Sequence, residues 1–187
     1  MQADFPLSRR KALAIAVNSL GMSRLLPALA PSEPAPRFSA KTLTGESFNN
    51  QSLMGKVVLV QFWATWCQYC RADAGPLDDL ATEFEKDGLV VLAVDMGESK
   101  KTVKAFLDRN PRKVNIVLME DTNLAAMFAA RSYPQYVLID REGLVAGLQN
   151  GAGGQAPLRR MLRKAGLNSA VPDAAPVELH SSPRRGM

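Results

Sequence analysis

Two cysteines, Cys67 and Cys70, are the only thiols in the 187-residue chain, and two residues separate them. Thiols at this spacing can close a small disulfide ring when the first opens a helix. Orphan backbone N–H groups and the helix dipole favour negative charge there, so Cys67 should ionise more readily than a free thiol. Cys70, one turn in, should face the interior and react less. Exchange would then run in two steps, attack to form a mixed disulfide and resolution by the neighbouring sulfur. A zinc half-site or a packed dithiol competes with this reading. Zinc wants four ligands, and the one histidine, His180, is the only other soft candidate. No metal and no cofactor is implied, because the electrons would reside in the cysteines.

The elements around the pair read as alternating strands and helices. Val57 to Trp63 is a nearly continuous apolar run, as expected of a central strand buried on both faces. The cysteines follow it directly, and Leu77, Leu80 and Phe84 then recur at helical spacing. Leu89 to Val94 reads as a second buried strand, followed by a helix with Val103, Phe106 and Leu107 that Ser99 would cap. Val114 to Met119 suits a short strand, Asn123 to Ala130 a short helix, and Tyr136 to Ile139 a third core strand. Asp140 to Gly143 turns into a hairpin partner at Leu144 to Leu148. A last helix carries Leu158, Met161, Leu162 and Ala165 and stops at Gly166. Upstream, Phe38 to Phe48 forms a small hairpin turning at Thr44-Gly45. The expected fold class is α/β, with a mixed central sheet covered by helices in three layers and an N-terminal hairpin extension.

Residues 1–30 differ in kind. Ser8-Arg9-Arg10-Lys11, an apolar run from Ala12 to Val17 and Ala28-Leu29-Ala30 have the parts of an export signal. Ser8-Arg9-Arg10 with Leu13 also resembles a twin-arginine signal, with Ala12, Arg24 and Pro31 as departures. A frayed amphipathic N-terminus is the alternative, and a weak uncleaved anchor is another. No run of about 18 apolar residues is present. The expected division is 1–30 signal or anchor, 31–36 Pro-rich linker, 37–166 folded domain and 167–187 disordered tail. The net charge of +5 is not gathered into a stripe, so nucleic acid is not an expected partner.

The strand from Val57 running into Ala64-Thr65-Trp66-Cys67 resembles the active-site strand of thioredoxin-fold proteins. The lead-in from Phe38 to Lys56, and Tyr133-Pro134-Gln135-Tyr136 through Asp140 with Glu142-Gly143, are similar to the TlpA/ResA branch of exported thiol–disulfide oxidoreductases. The resemblance spans residues 36–166. It implies the thioredoxin-like fold and protein disulfide or dithiol substrates. It further implies a thiol redox partner upstream, in the membrane or free of it, and a periplasmic or other extracytoplasmic location. Pro134 matches the family's cis-proline facing the dithiol. Gln61 stands where classical thioredoxins carry a buried acid. Asp73, three residues beyond Cys70, matches the acid of the TlpA/ResA branch and would accept a proton from the buried thiol if burial favours its protonated form; a solvated helix acid is the alternative. Pro76 falls one position later than the family's proline, which leaves the aim of Asp73 open. Trp66 would offer an apolar surface to substrate, Trp63 would be core, and Tyr69 and Tyr133 would crowd the mouth of the site. The catalytic candidates are Cys67, Cys70 and Asp73, and the substrate-binding candidates are Trp66, Tyr133 and Pro134. An oxidant or isomerase of the same fold remains open, as does a copper-handling module. A peroxidase is a further alternative, although Thr65 lies two residues before Cys67 where that chemistry wants three.

Overall fold

The run from Val57 to Trp63 is buried at every position, which places it inside the sheet. Each buried Val, Leu or Phe contributes roughly 1.5–3 kcal/mol against about 1–2 kcal/mol of backbone entropy per residue, so packing on both faces is what stabilises it. The structure is a computed structural model describing residues 33–168, and the expectations for 1–30 and for the chain beyond 168 lie outside the described residues.

In chain order the elements are β1 (Ser39–Thr42), β2 (Ser47–Asn49), β3 (Val57–Trp63), α1 (Gln68–Ala72), α2 (Ala74–Glu83), β4 (Leu89–Asp95), α3 (Lys100–Leu107), β5 (Asn115–Thr122), α4 (Leu124–Met127), β6 (Gln135–Ile139), β7 (Val145–Asn150) and α5 (Gln155–Arg163). They build one seven-stranded sheet in the order β2-β1-β5-β4-β3-β6-β7. β3, β4 and β5 run parallel, while β6, β7, β1 and β2 are antiparallel to their neighbours. This is the expected mixed sheet, with the N-terminal hairpin joined to its edge through β5.

Alternation along β3 sorts the core. Val57 and Leu59 face α2 and α5 with Tyr136, Leu138, Leu158 and Leu162. Trp63, on the same face, meets Val103 and Phe106 of α3. Val58, Val60 and Phe62 face the other way, onto Phe38, Leu53, Leu124 and Phe128. The Thr44-Gly45 turn forms as expected, with Gly45 at φ +95, where a side chain is disfavoured.

Three boundaries differ from the sequence reading. The helix after the cysteines is two helices broken at Asp73, which ends α1 and begins α2. The break places Pro76 in the first turn of α2, where its missing N–H has no intrahelical partner to lose. Residues 33–35 of the Pro-rich stretch are tied to the sheet edge, where Val145 donates to the Glu33 carbonyl and Ala35 to that of Gly143. Leu167 is buried, with its N–H bonded to the Leu162 carbonyl, so packing continues one residue past Gly166. Among the described residues no helix is long and apolar enough to cross a membrane.

Candidate active site

β3 delivers the cysteines at its carboxyl end, between β4 and β6. Beyond Trp63 and the buried Ala64 the chain turns, with the Cys67 N–H bonded to the Ala64 carbonyl at 3.1 Å. Cys67 is the N-cap of α1, and its Sγ accepts the Cys70 N–H at 3.1 Å. The two sulfurs are joined in a disulfide, with the Cα atoms 5.3 Å apart. Both residues are buried, Cys70 at 1% exposure and Cys67 at 4%. Trp66 and Tyr69, by contrast, are 67% and 60% exposed, a large apolar surface beside the disulfide.

The Tyr133–Pro134 peptide bond is cis. β6 lies against β3 with Gln135 opposite Phe62, so the ladder ends just short of this loop. The Tyr133 ring packs against the cluster that contains both cysteines and meets Trp66 edge-on, with centroids 6.0 Å apart. The tertiary structure thereby brings Tyr133 and Trp66 together beside the dithiol, with Pro134 next along the chain from Tyr133. The Pro134 carbonyl accepts the Gly151 N–H at 2.8 Å, which holds the loop to the end of β7.

Asp73 is 2% exposed. Its Oδ2 accepts the Tyr136 hydroxyl at 2.9 Å and the Gly153 N–H at 3.3 Å, and its Oδ1 accepts the Gly154 N–H at 2.9 Å. Gln61 Nε2 in turn donates to the Tyr136 oxygen at 3.1 Å. A buried chain therefore runs from the position where classical thioredoxins carry an acid to the acid beyond Cys70. Burial, and then the charge of Asp73, push the Tyr136 phenol above its ordinary pKa, so it remains a donor. A Cβ on Gly153 would stand 2.8 Å from Pro157, so a side chain there would displace the backbone that binds Asp73.

A pair of acids at the end of β4 escaped the sequence reading. Glu98 accepts both the N–H and the hydroxyl of Thr65, each at 2.6 Å, and its own N–H donates to Asp95 Oδ1 at 2.9 Å. Asp95 is fully buried, and burial, with the Glu98 carboxylate beside it, raises its pKa to about 7. Burial acts to raise that of Glu98 too, but the Thr65 hydrogen bonds win and lower it. The pair thus holds the residue just ahead of Trp66 and Cys67. Its sequence signal was the position of two acids at the carboxyl end of a strand parallel to the active-site strand, where sites of open α/β sheets gather. Among the described residues, no three His, Cys, Asp or Glu side chains converge as metal ligands, and His180 lies outside those residues.

Comparison with known proteins matches this geometry. The model of the AhpC/TSA family covers residues 31–147. The thioredoxin-like protein YneN of Bacillus subtilis is 36% identical over 122 residues, 64% of this chain and 71% of its own length. The thiol-disulfide oxidoreductase ResA of Halalkalibacterium halodurans is 30% identical over 119 residues, 64% of this chain and 68% of its own. A thiol:disulfide interchange protein of the thioredoxin family from Chlorobium tepidum superposes with a TM-score of 0.64 at 26% identity, over 73% of this chain and 97% of that one. The chain belongs to the AhpC/TSA family and is a thiol–disulfide oxidoreductase with a thioredoxin-like fold.

Proposed function

We propose that the protein exchanges disulfides with protein substrates through Cys67 and Cys70, as a reductant in the cell envelope. The observation that carries this reading is a disulfide at a helix start, with one sulfur capped by an N–H and the other sealed, beside exposed Trp66 and Tyr69. In the reduced protein, the Cys67 thiolate attacks a substrate disulfide and expels one substrate thiolate. The Cys70 thiolate then attacks Cys67 in the mixed disulfide, forming the Cys67–Cys70 bond and releasing the second substrate thiolate. Two electrons pass to the substrate, and a thiol partner upstream restores the dithiol. Trp66, Tyr133 and the Pro134 loop receive the substrate chain. Asp73, buried one turn past Cys70 and bonded to Tyr136, takes part in moving the Cys70 proton. The envelope location draws on the basic and apolar pattern of residues 1–30.

The reduction potential of the pair, equilibrated against glutathione and dithiothreitol, tests the direction. A value of roughly −250 mV or lower makes it a reductant, whereas about −120 to −180 mV makes it an oxidant or isomerase and overturns the direction proposed. A Cys70→Ser variant should trap substrates as mixed disulfides, and a Cys67→Ser variant should not.

A further inference from the structure

Cys70 forms part of the wall of a cavity of about 260 Å³, together with Trp63, Asp78, Phe106, the buried Arg112 and the solvent-exposed Arg71. Arg112 lies between α3 and β5, and its side chain is only 5% exposed. Its Nε donates to Asp78 Oδ1 at 2.9 Å, and its guanidinium carbon sits 5.9 Å from the centre of the Trp63 ring. Two buried donors here, Arg112 Nη2 and Trp63 Nε1, have no acceptor.

An unmade hydrogen bond on a buried cation is costly, because the lost hydration is not replaced. The disulfide offers it little, because a bonded sulfur is neutral and a weak acceptor. The resolving step differs, since it needs Cys70 as a thiolate, and burial at 1% exposure works against that charge. A cation with a spare N–H in the same cavity opposes the burial penalty. The charge of Arg112 also reaches Tyr136, where it acts to lower the phenol pKa. Its influence therefore extends to the buried chain that ends on Asp73.

We propose that Arg112 is a positioning residue for the redox step, its unpaired guanidinium N–H held in the Cys70 cavity for the thiolate that Cys70 becomes in turnover. The thiolate attacks Cys67 Sγ, the Cys67–Cys70 bond forms, and the bond from Cys67 to the substrate sulfur breaks. The proton that left Cys70 ends on the departing substrate thiolate. The proposal rests on the reading that Cys67 attacks and Cys70 resolves.

The test is the titration of the Cys70 thiol, followed by thiolate absorbance in a Cys67→Ser background where it is the only thiol. Arg112→Met should raise its pKa by about one unit, a tenfold loss of thiolate at a given pH below it. Arg112→Lys should recover part of that shift. Asp78→Asn, which removes the negative partner, should move the pKa the opposite way, and damaged packing alone would not produce opposite signs. In the two-cysteine protein, resolution of a mixed disulfide should slow about tenfold in Arg112→Met at pH values below the Cys70 pKa. A Cys70 pKa unmoved by Arg112→Met, or an upward shift in Asp78→Asn, overturns the proposal. Asp78→Asn decides by its sign alone if Arg112→Met does not fold. If Cys70→Ser rather than Cys67→Ser abolished mixed-disulfide formation, the assignment of the attacking thiol would fall, while the Cys70 titration would still judge Arg112.

Discussion

Asparagine at position 95 should make the protein more stable at pH 8 and leave it nearly unchanged at pH 4. Asp95 has no exposure, and its carboxyl stays protonated up to about pH 7 against an ordinary value of 3.8. Between those values the folded protein holds a proton that the unfolded chain has released. Stability contributed by Asp95 is therefore fully present below about pH 4 and declines as pH rises through 7. The slope is about 1.4 kcal/mol per pH unit, so three units set a ceiling of about 4 kcal/mol. Relaxation around the charged pair should reduce this to about 2 kcal/mol, since effective dielectric constants near buried charges are well above those of dry protein. Glu98 carries the opposite sign, because its pKa is lowered and its contribution is lost only in more acid solution. The amide of Asp95→Asn can accept the Glu98 N–H through its oxygen, as the acid does, and it carries no charge at any pH. Urea unfolding at pH 4 and pH 8 measures the outcome. The variant should match the parent within about 0.5 kcal/mol at pH 4 and exceed it by about 2 kcal/mol at pH 8. Equal differences at the two pH values, or a variant weaker at pH 8, would refute the argument that Asp95 is forced to keep its proton.

Two other substitutions probe the frame around the site. Gly75→Ala, in the first turn of α2, places a Cβ where nothing stands within 4 Å, so thermal unfolding should show a gain of about 0.5–1 kcal/mol from helix propensity. Tyr136→Phe leaves Gln61 Nε2 without its acceptor and takes one donor from Asp73, and denaturant unfolding should show a loss of about 1–3 kcal/mol. A Tyr136→Phe protein as stable as its parent would mean that the buried chain contributes nothing to the fold.

Much of the site could be read along the chain because its parts are local. Cys67 and Cys70 are three positions apart, and the buried strand ahead of them declares itself by an unbroken apolar run. Asp73 was legible as a position but not as an environment, since the acid one turn past a cysteine can be solvated or sealed. The structure seals it, through a hydroxyl 63 residues away and two glycine amides about 80 residues away. Arg112 left no pattern, because a single charge in a polar connection looks the same whether it faces water or the core.

The sequence by itself determined which residues can exchange electrons, where the central strand runs and where the chain must turn, since period, covalent spacing and turn chemistry act within a few residues. Only the tertiary structure decided what surrounds the dithiol. The sheet order sets β6 against β3, which puts Tyr136 opposite Gln61 and the Pro134 loop beside the cysteines. Packing of α2 and α3 on one face brings Asp78 to Arg112 across 34 positions, and the end of β4 brings Glu98 to Thr65 across 33. Such pairs depend on register and on which face each side chain takes, and both are settled only when the strands assemble.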